Sequence, residues 1–87
     1  MHGLEEKANM NKVLNILEEM TGVSSDEIDP DIDLFEEGIL DSFGTIQLVV
    51  KISDAFNVDI DIADIPRDEF NTVNRIAAYI GGIGGWL

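Results

Sequence analysis

Residues 42–56 read SFGTIQLVVKISDAF, and no other stretch of the chain limits its fold so strongly. At about 100° per residue, Thr45, Leu48, Val49, Ile52 and Phe56 share one helical face, with Ile46, Val50 and Ala55 widening it. Gly44, Gln47, Lys51 and Asp54 form the polar stripe that remains. A helix this apolar needs cover on most sides, so the sequence predicts it as the central element against which the others pack. Each large side chain it buries stabilises the fold by about 1.5–3 kcal/mol. In 87 residues there is room for one modest core and no second one, so residues 1–87 are expected to be a single domain.

The partners of that helix are legible on both sides of it. Between residues 4 and 21, Met10, Val13, Leu14, Leu17 and Met20 recur at steps of three and four, the stripe of an amphipathic helix that Gly22 ends. Its methionines read as core filler. Ser24 and Glu27 have capping-box spacing, which predicts a single helical turn after Ser24. The loop at 29–35 carries Leu34 and Phe35 and, with Ile28 and Ile32, is expected to lie pinned over the core. Near the end, Asn71 or Thr72 is placed to cap a last helix that turns Val73, Ile76, Ala77 and Ile80 inward. Residues 81–87, with four glycines before or between Ile83, Trp86 and Leu87, read as a mobile tail.

Composition removes several classes of function. Eighteen acidic residues against five basic ones give a net charge of -13, so the chain has no cationic surface for a phosphate backbone and nucleic acid is not an expected partner. The same charge steers it toward basic patches on proteins. There is no cysteine, hence no disulfide or thiolate metal site. A calcium loop starting at Asp29 would need Gly where Leu34 stands and Glu where Leu40 stands, and one starting at Asp59 ends on Phe70, so no metal is expected. The N-terminal residues show no secretory pattern and no apolar run is long enough to span a bilayer, which places the protein in the cytoplasm.

Immediately ahead of the apolar helix stand Asp41 and Ser42, after a turn at Gly38. A serine there can be an ordinary N-cap, its hydroxyl accepting a first-turn N–H. The same position exposes the hydroxyl at the positive end of a helix dipole, where an attached phosphate is favoured by roughly 0.3–1 kcal/mol. Asp41, Ser42 and Phe43, within the run LFEEGILDSFGTIQL at 34–48, resemble the prosthetic-group site of the acyl and peptidyl carrier proteins. Within that family the run, together with Arg67, Asp68, Glu69, Phe70, Asn71 and Thr72, is most similar to the D-alanyl type, small partners of the ligase that supplies D-alanine to teichoic acids. A Trp is expected in that type where Phe70 stands.

The resemblance implies an all-α fold, a small four-helix bundle with a long loop between the first and second helices and a short third helix. Residues 58–65 alternate like a strand, yet no second strand is at hand, and the resemblance makes them an extended link running into that short helix before Pro66. It also implies 4'-phosphopantetheine attached covalently to Ser42, with Asp41, Phe43 and Ile46 at the surface where partners dock. Those partners are a phosphopantetheinyl transferase, an ATP-dependent adenylating ligase specific for D-alanine, and a downstream acceptor enzyme, a membrane-bound one included. The carrier itself is expected to be a monomer.

Nothing in the residues supplies a catalytic site. The one histidine is His2, at a terminus, so Ser42 has no general base to make it a hydrolytic nucleophile, and Glu36 and Glu37 read as solvated loop charges. Ser24 and Ser25 read as caps and Ser53 lies within the central helix, which leaves Ser42 as the attachment candidate. Two alternatives stay open. One is a discrete acyl or peptidyl carrier of a polyketide or nonribosomal peptide pathway, with which Gln47 and Lys51, and Asp54 as the sole acid on this helix, are equally compatible. The other is a helical interaction module that is never modified.

Overall fold

The computed structural model describes residues 2–61, 63 and 65–84, with the side chains of 2–6 and of residue 67 left aside. Three α-helices carry the architecture: α1 (His2–Thr21), α2 (Ser42–Phe56) and α3 (Val73–Gly82). Short 3-10 turns at Ser25–Glu27 and Arg67–Glu69 interrupt the connections. Among the described residues there is no strand, so the alternation at 58–65 does not become one; residues 62 and 64, where the short third helix was expected, lie outside the described residues.

Each helix ends for a local reason. Gly22 takes a positive φ of 77° and its N–H bonds to the Glu18 carbonyl at 2.9 Å, the left-handed stop that a residue without Cβ permits. At the other end of the fold, Thr72 caps α3 by accepting the Arg75 N–H at 3.0 Å, one of the two residues expected there. The helix continues past the expected end at Ile80, through Gly82, because the Ile83 N–H still finds the Tyr79 and Ile80 carbonyls. Residues 85–87 of the expected tail, Trp86 and Leu87 among them, lie outside the described residues.

The core gathers Val13, Ile16 and Leu17 from α1, Leu48, Val49, Ile52 and Phe56 from α2, and Val73, Ile76, Ala77 and Ile80 from α3. Ile28, Leu34, Leu40 and Phe70 close it from the connections. Phe70 is fully buried and meets Tyr79 edge-on, ring centroids 5.9 Å apart, so the position where a Trp was expected is a core position here. α1 packs on both α2 and α3, most extensively on α3. That overturns the expectation of α2 as the hub: α2 buries a single face and leaves Ile46 and Val50, expected to widen that face, 51% and 57% exposed. On a helical wheel they lie roughly 105° and 145° from the buried direction, too far round for a one-sided contact to cover.

The capping box at Ser24 also fails to form. Ser24 occupies the cap position without a side-chain cap bond, and the next N–H, that of Ser25, is taken at 2.6 Å by the Glu18 carboxylate of α1. The Glu27 N–H that the box would have used goes instead to the Ser24 carbonyl at 2.9 Å, the closure of a 3-10 turn.

Candidate functional site

The segment before α2 is built around one buried anchor. Leu34 is fully buried, and its carbonyl accepts from both Ile39 N–H at 2.9 Å and Leu40 N–H at 3.0 Å, closing the turn over residues 34–38. Gly38 makes that closure possible with φ 72°, in the left-handed region. Asp33 sits at the head of the turn, where its Oδ1 accepts the N–H groups of Phe35 at 2.9 Å and Glu36 at 3.1 Å. Leu40, buried in turn, delivers the chain to Asp41 at the helix start.

Asp41, and not Ser42, is the N-cap of α2. Its backbone is extended (φ -130°, ψ -176°) and its Oδ1 accepts the Gly44 N–H at 2.6 Å. Its carbonyl accepts the Thr45 N–H at 2.9 Å and the Thr45 hydroxyl at 2.8 Å. Gly44 is matched to this cap: a Cβ there would lie 3.1 Å from Asp41 Oδ1. The capping role considered for Ser42 is therefore filled by its neighbour, because the extended residue just outside the helix is the one whose side chain can turn back to the first-turn N–H groups.

Ser42 is left as the first helical residue, exposed, and among the described residues its hydroxyl makes no hydrogen bond. The other serines differ. Ser24, Ser25 and Ser53 are each half-buried, the last within α2. Ser42 alone among the four is exposed, and it stands on the first turn of α2.

Beside it runs an apolar stripe that the sequence showed only in part. Phe43 is 68% exposed, which excludes the core role its side chain could have had, and Ile46 and Val50 continue it along α2 at steps of three and four. With Gln47, Lys51 and Asp54 these residues line an open groove of about 470 Å³. Asp41 is exposed at the start of the same helix. Of the residues sequence reasoning named, the structure brings Phe43 and Ile46 together in this groove and leaves Asp41 outside its lining, at the N-cap; sequence reasoning missed Val50, although the wheel position opposite Leu48 and Ile52 carried the signal. Among the described residues no helix is long and apolar enough to cross a membrane.

Comparison with known proteins shows the family. Residues 11–80 match the family described as "Phosphopantetheine attachment site". Three curated relatives share one name. A D-alanyl carrier protein of Bacillus velezensis is 45% identical over 65 residues, 75% of this chain and 83% of that protein. One from Lacticaseibacillus rhamnosus is 38% identical over 77 residues, covering 88% of this chain and 95% of its own length. A third, from Lactococcus lactis subsp. cremoris, is 39% identical over 69 residues, 79% and 87% of the two chains.

Proposed function

This chain belongs to the phosphopantetheine-attachment family of carrier proteins, and from that premise we propose that Ser42 is the residue that bears the arm and that D-alanine is the cargo. A carrier of this family holds its group as a thioester on a covalent 4'-phosphopantetheine. The arm's terminal thiol suits a chain that has no cysteine of its own. The observation that carries the assignment to Ser42 is the division of labour at the start of α2: Asp41 caps the helix, so the neighbouring hydroxyl is exposed and unengaged. Its first-turn position also favours a phosphodiester electrostatically, by roughly 0.3–1 kcal/mol.

The cargo reading rests on these three relatives, each named as a D-alanyl carrier protein and covered over most of its length. A phosphopantetheinyl transferase loads the arm, an ATP-dependent ligase charges it with D-alanine, and an acceptor enzyme takes the group onward to teichoic acid. We read the protein as a cytoplasmic carrier without a catalytic site, its substrate chemistry lying in those partners. Asp41, Phe43 and Ile46, extended by Val50, form the surface they dock on, since any enzyme acting on an arm at Ser42 must touch the first turns of α2. The finer fold belongs to the same reading: residues 1–87 as one carrier domain, a four-helix bundle completed by a short third helix before Pro66.

Two measurements test this. Apo protein given coenzyme A and a transferase gains the mass of one phosphopantetheinyl group, and Ser42→Ala does not; modification that survives the substitution moves the site elsewhere. Holo protein given ATP, D-alanine and a D-alanine-activating ligase then forms a thioester detectable by intact mass. Loading with another acid by its own ligase, with none from D-alanine, reassigns the cargo to a secondary-metabolite pathway and leaves the carrier role in place.

A further inference from the structure

We propose that Asn71 is a positioning residue for Ser42: acting through Asp33 and Leu34, it fixes the orientation in which the first turn of α2 meets a partner enzyme. The role rests on Ser42 being the attachment residue. An exposed side chain with no hydrogen bond of its own takes its placement entirely from the backbone behind it. That backbone runs from Leu40 to the doubly used carbonyl of Leu34. The opposite edge of Leu34, its N–H, donates to the Asn71 carbonyl at 2.7 Å. Asn71 Nδ2 donates to Asp33 Oδ2 at 3.0 Å, while the other oxygen of that carboxylate holds the Phe35 and Glu36 N–H groups.

Asn71 itself has little freedom, since its Oδ1 accepts from the Arg75 guanidinium at 3.2 Å. Main-chain carbonyl, amide nitrogen and amide oxygen are all engaged, two of them by the turn that delivers Ser42. Replacing the amide by a carboxylate removes the donor and sets it against Asp33; replacing it by a methyl removes both side-chain bonds. A second link between the same two regions supplies a control. Asn74 also reaches back from α3, its N–H donating to the Pro30 carbonyl at 3.1 Å and its amide to Asp31, but neither bond touches the turn at 34–40.

The test uses the full apo chain with coenzyme A and a phosphopantetheinyl transferase, initial rates being followed against carrier concentration well below the thermal midpoint. Asn71→Ala is expected to lower kcat/KM about five- to tenfold, the scale of one ordinary lost hydrogen bond expressed as a rate. Asn74→Ala is expected to lower the thermal midpoint by a similar amount and keep the wild-type rate. The exchange of the pair, Asp33→Asn with Asn71→Asp, keeps the net charge, retains an acceptor for Phe35 and Glu36 and restores a donor facing an acceptor, so it recovers the rate. Hydrogen exchange at the Ile39 and Leu40 amides quickens in Asn71→Ala and not in Asn74→Ala. A wild-type rate in Asn71→Ala, an equal loss in Asn74→Ala, or a folded pair exchange that stays slow overturns the proposal. Failure of the wild type to accept the group, or its acceptance by Ser42→Ala, sinks the attachment reading instead, and the positioning role with it.

Discussion

Asp41 Oδ1 accepts the Gly44 N–H at 2.6 Å, and through that bond the helix that carries Ser42 is capped without using the Ser42 hydroxyl. With Ser42 as the proposed attachment residue, two adjacent polar residues divide two tasks, one structural and one chemical. Their substitutions should separate cleanly. Asp41→Ala removes the cap and is expected to cost about 1 kcal/mol, lowering the thermal midpoint by roughly 4–8 °C for a domain of this size. Ser42→Ala removes no hydrogen bond and should leave stability within about 0.5 kcal/mol of the wild type while abolishing modification. Circular dichroism melts of the two variants decide the matter: a larger loss in Ser42→Ala would return the capping role to the serine.

Gly44 offers a test of how tightly that cap is built. Alanine in a helix is ordinarily favoured over glycine by about 1 kcal/mol. Here the added Cβ would stand 3.1 Å from Asp41 Oδ1 and 3.5 Å from the Leu40 side chain, so the carboxylate must move back from its bond. The two effects oppose each other, and Gly44→Ala is expected to leave the thermal midpoint near that of the wild type. In the background of Asp41→Ala the clash is gone and the same substitution should stabilise by the full amount of about 1 kcal/mol. Equal effects in the two backgrounds would show that the cap and the glycine are independent.

Phe43 and Phe70 are the same residue type in opposite environments. Phe43 is 68% exposed and Phe70 is 1% exposed, so truncation to alanine should read very differently at the two sites. Phe70→Ala leaves a cavity against Tyr79 and is expected to cost about 3–5 kcal/mol, a large fraction of the stability of a small domain. Phe43→Ala should shift the melt little and slow transferase and ligase turnover instead. A melt lowered as much by Phe43→Ala as by Phe70→Ala would place Phe43 in the core and remove it from the docking surface.

Those contrasts mark what the sequence could reveal. The inward residues of α3 and the inner face of α2 followed from spacing alone, because periodicity records which residues share a face. It does not record how wide a contact is. Ile46 and Val50 are as apolar as Leu48 and Ile52, and only the single-sided packing of α2 shows that they look outward. Competition for hydrogen bonds was equally hidden. Ser24 and Ser42 both have good cap chemistry, yet Glu18 reaches the turn after Ser24 from another helix and Asp41 sits one residue closer to the correct geometry than Ser42. Asn71 read as a choice between two caps for α3; its link to Asp33 spans two segments that no local pattern connects.

Salt should act on this protein in two opposite directions. With eighteen acidic residues and five basic ones, the folded chain carries a net charge of -13 in a small volume, and mutual repulsion opposes compaction. The Arg75 guanidinium is spent on the Asp68 carbonyl at 2.6 Å and the Asn71 amide oxygen at 3.2 Å, both neutral acceptors. Raising the ionic strength from about 0.01 M to 0.15 M shortens the screening length from roughly 30 Å to 8 Å, which weakens repulsion across the molecule. The thermal midpoint of the apo protein is therefore expected to rise with added sodium chloride. Docking should move the other way, because the same screening weakens the attraction of an acidic carrier to a basic partner surface and slows encounter. Transferase assays over that salt range should show KM for the carrier rising while kcat holds. A KM that does not respond to salt would mean that the apolar stripe of Phe43, Ile46 and Val50, and not the net charge, governs docking.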